Sequence, residues 1–220
     1  KIGKLIKKIN NVLKTHIYEI IVVDDNSEDG TKKILEKINL RKKNFSFYIR
    51  NKKKDLSQSL IFGIKKTNYQ NIIIMDGDLQ HDPKYLNKII NIFYKKKLDI
   101  LVCTRNFKIR SGLSRIRYLA SILLIFIINF LLGKKLSDPM SGFFIFKKKI
   151  YFKNKKKIYG KGFKLLLDLV YSTKKRLKIF EYIIKFKSRK NDKSKMNLKV
   201  IFHIIIAILN IFYQNFKIKN

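Results

Sequence analysis

Short apolar runs alternate with amphipathic stretches over the first hundred residues, and this alternation limits the possible folds more than any other feature of the chain. The apolar runs, rich in β-branched residues, occupy positions 19–23, 45–49, 71–75 and 100–103. The stretches between them place apolar residues at helical spacing, at 2–13, 31–38, 57–66 and after Pro83. Asp82 as N-cap, with Pro83 at the first helical position, predicts the start of the last of these helices. Continuous apolar strands separated by amphipathic helices predict an α/β fold, with a mostly parallel sheet covered by helices on both faces.

The composition restricts the class of protein less than its charge suggests. Lysine and arginine number 51 against 15 acidic residues, a formal net charge of +36, which favours nucleic acid or an anionic membrane as a partner. The same chain is rich in Asn, Ile, Phe and Tyr, which, like Lys, have A/T-rich codons. Much of the lysine is therefore attributed to compositional drift. Its 46% hydrophobic residues exclude a disordered basic tail. The single cysteine, Cys103, excludes an internal disulfide framework and favours a cytosol-facing location.

Two later segments are apolar almost all round. They cover residues 119–132 and 198–213, and both are shorter than the roughly 20 residues that a membrane-spanning helix needs. Each segment is compatible with a core helix of a soluble protein. Each is equally compatible with a helix that lies in a membrane interface, flanked by lysines that meet anionic head groups.

Carboxylates follow two of the predicted strands. Asp24 and Asp25 come directly after the first strand, where acids suit ribose hydroxyls or base N–H groups but also ordinary turns. After the third strand the chain reads Asp76-Gly77-Asp78-Leu79-Gln80. Two carboxylates two residues apart in a loop, with an amide oxygen nearby, are oxygen ligands of the kind that Mg²⁺ or Mn²⁺ prefers. Because a nucleic-acid groove would not gather acids at neighbouring strand ends, this pattern argues against a nucleic-acid partner.

Five stretches of the chain, in order, are similar to the family 2 glycosyltransferases, and specifically to the polyprenyl-phosphate (dolichyl-phosphate) mannosyltransferase group. They lie at 19–31 (EIIVVDDNSEDGT), 75–83 (MDGDLQHDP), 99–105 (DILVCTR), 137–144 (SDPMSGFF) and 186–195, which holds FKSR and SK. The resemblance implies a GT-A fold, whose first strand and its Pro-x-Tyr-Asn-Glu motif precede the helix on which this chain opens. It also implies a glycosyltransferase domain over 1–195, N-terminally truncated, and a membrane-associated apolar helix over 196–220. Where relatives have Gly-Leu-Ser, this chain has Asp55-Leu56-Ser57.

The resemblance assigns roles to individual residues. It implies that Val23 and Asp25 contact the nucleoside of a nucleotide-sugar donor, and that the stretch Asp76-Gly77-Asp78 meets the donor's diphosphate. It implies a metal site, for Mg²⁺ or Mn²⁺, that consists of Asp76, Asp78 and Gln80. It further implies that Arg105, Arg189 and Lys195 face the phosphates of donor and acceptor, with Asp78 and Arg105 as the catalytic residues.

The activity implied is metal-assisted, inverting transfer of one sugar to polyprenyl or dolichyl phosphate at the cytoplasmic face of a membrane. The acceptor phosphate is largely dianionic at neutral pH, so no general base is required. GDP-mannose is the first expectation for the donor, with UDP-glucose and UDP-N-acetylhexosamine as alternatives. A degenerate member without turnover, and more distantly a basic nucleic-acid-binding protein, remain as other hypotheses.

Overall fold

The computed structural model describes residues 1–105, 115–133, 136–162, 165–173 and 176–185, with residues 206, 208, 209 and 211 near the C-terminus. The helices of these ranges are α1 (Ile2–Val12), α2 (Thr31–Asn39), α3 (Leu56–Lys66), α4 (Leu86–Lys95), α5 (Arg115–Leu132), α6 (Lys148–Asn154) and α7 (Leu165–Tyr171). The strands are β1 (Ile20–Asp24), β2 (Phe45–Ile49), β3 (Asn71–Ile74), β4 (Ile100–Arg105), β5 (Phe144–Lys147) and β6 (Ile179–Ile184).

The strands form two sheets. In the first, β1 pairs in parallel with β2; in the second, the order is β3-β5-β4-β6. Within the second sheet β4 and β6 are parallel, whereas β5 runs antiparallel to both of its neighbours. Both β1 and β3 therefore lie at an edge, and every residue of β1 is only half-buried.

Alternate residues of the larger sheet point into two separate hydrophobic cores. In β4, Ile100 and Val102 face the core that contains α7 and residues of α3, while Leu101 and Cys103 face the core that contains α4. Successive side chains of a strand point to opposite faces, so buried residues on both faces mean that helices cover the sheet on both sides. The strand β4 is consequently the most deeply buried, with only Arg105 at its end partly exposed.

The structure confirms the predicted α/β class and the order of strands and helices in the first hundred residues. The predicted helix start at Asp82-Pro83 is a 3₁₀ turn, Pro83–Tyr85, that leads into α4, and the Asp82 carboxylate accepts a hydrogen bond from the Lys84 N–H. The sheet is more mixed than predicted. The chain enters β5 at the carboxyl edge, where Phe144 pairs with Ile74 and Val102, and so β5 must run back antiparallel.

The two apolar segments differ in how far the structure describes them. Within the described residues, no helix combines the length and apolar character needed to cross a membrane. The segment predicted over 119–132 forms most of α5, which begins four residues earlier, at Arg115. Of the segment over 198–213, only four residues are described, and two of them, Ile208 and Ile211, are buried in the same core as α7.

Candidate active site

The Asp76-Gly77-Asp78 loop leaves the carboxyl end of β3 and turns sharply before Pro83. The sharp turn is possible because Leu79 adopts a left-handed conformation, with φ of 68°, which is uncommon for a residue with a branched side chain. The Asp78 carboxylate accepts a hydrogen bond from the Gln80 N–H at 3.0 Å, which fixes the inside of the turn. Asp76, Asp78 and Gln80 are half-buried, and Gly77 is exposed. Backbone strain of this kind is concentrated at functional sites in folded proteins.

His81 lies buried beneath this loop. Its Nδ1 accepts a hydrogen bond from the Asp76 backbone N–H at 3.2 Å, and its ring stacks on Phe143 with 5.2 Å between centroids. Burial lowers the pKa of His81, although the nearby charges of Asp76 and Asp78 act in the opposite direction. The imidazole is therefore neutral at pH 7, with its proton on Nε2, and it orients the backbone of the acidic loop.

Arg105, at the end of β4, is held by a buried carboxylate. Its Nε and Nη2 donate to the two oxygens of Asp138, at 3.0 and 3.3 Å, and Asp138 is fully buried. A guanidinium that forks onto a carboxylate has little rotational freedom. Asp76, Asp78, Arg105 and Asp138 all lie near enough to His81 for their charges to act on its pKa.

The loop that carries Asp138 packs against the Asp76-Gly77-Asp78 loop. Ser141 Oγ donates to the Cys103 carbonyl at 2.6 Å, which fixes this loop to β4. Gly142 follows, and a Cβ atom built on it would lie 2.7 Å from Asp76 Oδ2. A side chain at this position would displace the Asp76 carboxylate, so glycine is required by close approach.

The acidic pair at the end of β1 has different surroundings. Asp24 accepts from the Ser27 N–H at 2.8 Å, in a turn that continues through Asn26 at φ of 57°. Asp25 forms an ion pair with Arg50 at 3.3 Å, and it accepts hydrogen bonds from Ser59 Oγ at 2.6 Å and from the Asp55 N–H at 2.8 Å. The carboxylate of Asp25 therefore joins the end of β1 to the first turn of α3.

The structure thus brings together Asp76, Gly77, Asp78, Gln80 and Arg105 of the predicted site. Val23 lies in β1 of the two-stranded sheet, close to Gly63 of α3, and Asp25 directly follows that strand. Arg189 and Lys195 lie outside the described residues.

The residues present fit a divalent cation that completes its coordination with substrate. Two carboxylates and the amide oxygen of Gln80 are hard oxygen ligands, and Mg²⁺ commonly takes only one or two carboxylates beside substrate phosphates. Among the described residues, no cluster of three or more His, Cys, Asp or Glu side chains could hold a metal ion by itself. Water and the phosphates of a bound ligand would supply the other ligands of a cation at this loop.

Sequence reasoning missed three residues that organise the site: His81, Asp138 and Asp55. His81 and Asp138 stand inside the motifs at 75–83 and 137–144, so their positions were visible, but no pattern shows which backbone group or cation they contact. Asp55 was noted only as a departure from related sequences, and its contacts appear only in the folded chain.

Solved structures of sugar transferases share this fold. Glucosyl-3-phosphoglycerate synthase from Mycobacterium tuberculosis superposes with a TM-score of 0.67 at 15% identity, over 96% of this chain and 76% of that protein. Mannosyl-3-phosphoglycerate synthase from Rubrobacter xylanophilus gives a TM-score of 0.66 at 13% identity, over 99% and 70% of the two chains. The architecture is therefore the GT-A fold of nucleotide-diphospho-sugar transferases.

Sequence comparison identifies the family. The model of glycosyl transferase family 2 matches residues 1–153, and the chain belongs to that family. Dolichol-phosphate mannosyltransferase of Pyrococcus furiosus is 31% identical over 92% of this chain, which spans 57% of that relative's length. The proteins of that name from Mycosarcoma maydis and Saccharomyces cerevisiae are 29% and 27% identical, over 90% and 92% of this chain and over 68% and 77% of their own lengths.

Proposed function

We propose that this protein transfers a single sugar from a nucleoside-diphosphate sugar to the phosphate of a polyprenyl or dolichyl lipid. The observation that carries the proposal is the clustering of Asp76, Asp78 and Arg105 around the neutral, buried His81 at the carboxyl edge of the sheet. In open α/β folds, ligands bind in the crevice outside this edge. Membership of glycosyl transferase family 2 supports the same reaction class.

On the donor side, Asp25 and the backbone of Val23 would contact the nucleoside, and the Asp76–Asp78 loop would meet the diphosphate. The exposed Gly77 leaves room for a phosphate to approach the backbone. Mg²⁺ or Mn²⁺, held by Asp76, Asp78 and Gln80, would supply Lewis-acid neutralisation of the leaving diphosphate. The related fold of the Mycobacterium tuberculosis enzyme was solved with Mn²⁺ and UDP-glucose, which supports a metal-assisted donor site.

The chemistry needs few groups from the protein. An oxygen of the lipid phosphate attacks the anomeric carbon as the bond from that carbon to the diphosphate oxygen breaks, and the electron pair leaves with the nucleoside diphosphate. Attack opposite the leaving group inverts the anomeric centre. Because the second pKa of a phosphate monoester is about 6, the acceptor is already a nucleophilic dianion and no side chain must remove a proton. Arg105, oriented by Asp138, would stabilise the negative charge that is transferred.

The exposed face of α5 is the proposed contact with the membrane. Phe126 and Phe130 are 64% and 78% exposed and stack on each other with 6.2 Å between ring centroids, while Ile128 on the opposite side is fully buried. Leu123 adds to this face. A contiguous apolar patch on a helix that is anchored from behind is typical of an interfacial contact. We propose that it holds the enzyme peripherally at a membrane, on the cytoplasmic face, where the lipid acceptor is found.

The donor sugar is proposed as mannose, carried on GDP. Three relatives named dolichol-phosphate mannosyltransferase support this choice. A relative named dodecaprenyl-phosphate galacturonate synthase, from Rhizobium johnstonii, is 25% identical over 98% of this chain and 64% of its own length, which keeps another sugar as the alternative. A UDP-sugar is the alternative donor, because the Mycobacterium tuberculosis enzyme of the same fold was solved with UDP-glucose.

Transfer of labelled sugar tests the reaction. The protein is incubated with polyprenyl phosphate, Mn²⁺ or Mg²⁺, and in separate reactions GDP-mannose, UDP-glucose or UDP-N-acetylglucosamine, and the lipid phase is extracted. We expect label in the lipid with GDP-mannose, none after chelation by EDTA, and an inverted anomeric configuration. Label with a UDP-sugar alone would correct the donor, and no lipid label with any donor would refute the function.

Flotation with liposomes tests the membrane contact. Replacing Phe126 and Phe130 by serine should reduce co-flotation with vesicles that contain anionic lipid by at least about tenfold, because the variant loses both aromatic side chains that would enter the membrane interface. Leu40→Ser is the control, since Leu40 is also an exposed apolar side chain, at 87%, but lies at the end of α2. Unchanged flotation of the Phe126/Phe130 double variant would rule out this face as the contact.

A further inference from the structure

Asp55 connects three parts of the chain that are distant in sequence. It is the N-cap of α3, where its Oδ1 accepts a hydrogen bond from the Gln58 N–H at 3.0 Å. Its Oδ2 accepts from the Gly162 N–H at 2.8 Å, and its own N–H donates to Asp25 Oδ2 at 2.8 Å. Its carbonyl accepts from Arg50 at 3.1 Å. Every polar group of this one residue is thus engaged, which exceeds what helix capping alone requires.

The segment that Asp55 grips is the loop between α6 and α7. Gly160 and Gly162 both adopt left-handed conformations, with φ of 65° and 80°, and a Cβ atom on Gly160 would lie 2.9 Å from Ile61 of α3. The Gly162 carbonyl accepts from the Ser57 N–H at 2.8 Å, and the Gly160 N–H donates to the buried Asp168 at 2.8 Å. The glycine loop 160–162 is therefore held by α3 on one side and by α7 on the other.

Asp25 occupies the other end of the same network. Both of its oxygens are anchored to the first turns of α3, one by Ser59 Oγ and the other by the Asp55 N–H. A carboxylate that accepts a bond at each oxygen cannot rotate without breaking one of them. The direction in which Asp25 presents its remaining acceptor capacity therefore depends on where the N-terminus of α3 lies, together with the ion pair to Arg50. Asp55 sets that position, because it caps the helix and binds the glycine loop.

We propose that Asp55 is a positioning residue for nucleotide binding. It holds the Asp25 carboxylate in place and keeps both this carboxylate and the glycine loop 160–162 ordered. This role rests on the proposed function, in which Asp25 contacts the nucleoside of the donor. Asp55 does not touch the substrate: it acts through Asp25. Loss of its side chain should weaken nucleotide binding more than it slows the chemical step. The reason is that, in the proposed function, the diphosphate binds at Asp76 and Asp78, near Arg105.

The test compares Asp55→Ser with Asp55→Ala. Serine can still cap α3, so that variant keeps the helix end, but its shorter side chain does not reach the Gly162 N–H. Alanine removes both contacts. The matched control is Glu19→Gln, since Glu19 tethers the opposite end of α3 by accepting from the Asn68 N–H at 2.8 Å. Isothermal titration with GDP and with UDP, each in the presence of Mn²⁺, measures the nucleotide Kd, and transfer kinetics give the donor KM and kcat.

We expect Asp55→Ser to raise the nucleotide Kd and the donor KM about tenfold, with kcat changed less than about twofold. Hydrogen exchange of the nucleotide-free variant should rise in peptides that cover both residues 23–26 and the glycine loop 160–162. Glu19→Gln should change neither Kd nor exchange at these two places. Asp55→Ala should show the same pattern, with a lower midpoint of thermal unfolding.

Two contrary results separate this role from the proposed function. If Asp55→Ser bound GDP and UDP as tightly as the wild type does, Asp55 would be only a helix cap. The same would follow if hydrogen exchange rose in the glycine loop 160–162 but not at residues 23–26. A wild-type protein that binds neither nucleotide would refute the proposed function, and the role of Asp55 with it.

Discussion

The two acidic corners of this molecule look alike in sequence and differ in their surroundings. Each consists of two carboxylates near the carboxyl end of an apolar strand: Asp24 ends β1 and Asp25 follows it, and Asp76 and Asp78 come after β3. At the first corner the carboxylates organise the protein itself, since Asp24 closes a turn and Asp25 binds Arg50 and α3. At the second corner the loop is strained at Leu79, and His81 orients its backbone from below.

This difference indicates that the carboxylates after β1 hold the fold and that those after β3 bind a ligand. A carboxylate that is paired with a cation and bonded to backbone N–H groups stabilises the fold and holds a fixed direction. A pair of half-buried carboxylates beside an exposed glycine, on a strained turn, is arranged to meet a charged ligand. We therefore propose that the diphosphate and the metal bind at the β3 corner and the nucleoside at the β1 corner, and variants at both corners test this division.

The largest effect is expected for Asp78→Ala. Removing one of the two carboxylates at the β3 corner should lower transfer at least about 1,000-fold, because the leaving diphosphate loses its neutralising cation. The fold should survive, with a free energy of unfolding within about 1 kcal/mol of the wild type. Asp24→Asn is the comparison at the other corner: asparagine can make the same turn, so more than about a third of the transfer should remain. Equal losses in the two variants would end the distinction between the corners.

Asp168 is a buried carboxylate that, unlike Asp25, has no ion pair among the described residues, and its pKa is raised accordingly. It is fully buried in α7, and Oδ1 has no hydrogen-bond partner among the described residues. Burial raises the pKa of Asp168 to about 6, against 3.8 for an ordinary aspartate, despite the hydrogen bonds from the backbone of Gly160 and Tyr159. The folded state therefore holds this proton more tightly than the unfolded state.

The stability that results from this proton is complete below about pH 4 and is lost as the pH rises through 6. Relative to Asp168→Asn, the wild type should lose about 3 kcal/mol of unfolding free energy over that interval, at roughly 1.4 kcal/mol for each pH unit between the two pKa values. Urea titrations of both proteins at pH 4.5, 5.5, 6.5 and 7.5 measure the difference. If the stability of the wild type relative to Asp168→Asn did not change with pH, burial would not raise the pKa of Asp168. If it increased with pH, Asp168 would be stabilised as the anion.

A smaller effect is expected for Arg50→Met, which leaves Asp25 without its cation. Arg50 is 9% exposed and Asp25 20%, so the unfolding free energy should fall by about 2 kcal/mol, somewhat less than for a fully buried pair. Lys147→Met is the control, because it removes a more exposed pair, with Asp99 at 2.9 Å, and should cost about 0.5 kcal/mol. Equal losses in guanidinium titrations would show that the Arg50 pair is an ordinary surface contact.

Most of the local structure of the first hundred residues could be predicted from the sequence, since strand and helix periodicity are local properties. The strand at Phe45–Ile49 and the helix cap at Asp82 both lie where the pattern placed them. The residues of the candidate site could be predicted for the same reason, because Asp76 and Asp78 lie in the loop after β3 and Arg105 is the last residue of β4.

The remainder depends on contacts between distant residues. The antiparallel direction of β5 follows from the path of the chain at the carboxyl edge, which no local pattern records. The Asp138 partner of Arg105 lies 33 residues away, and the Asp55 contact with Gly162 spans 107 residues. Such pairs are determined by packing, and the sequence shows only that both side chains are present.

Binding of Mn²⁺ at the β3 corner tests the account most directly. Electron paramagnetic resonance counts free Mn²⁺ during titration of the protein with GDP or UDP present, for the wild type, Asp78→Ala and Arg50→Met. We expect one Mn²⁺ bound by the wild type only when a nucleoside diphosphate is present, the same stoichiometry for Arg50→Met, and no bound ion for Asp78→Ala. If Asp78→Ala bound Mn²⁺ as the wild type does, the metal and the diphosphate could not be placed at this corner.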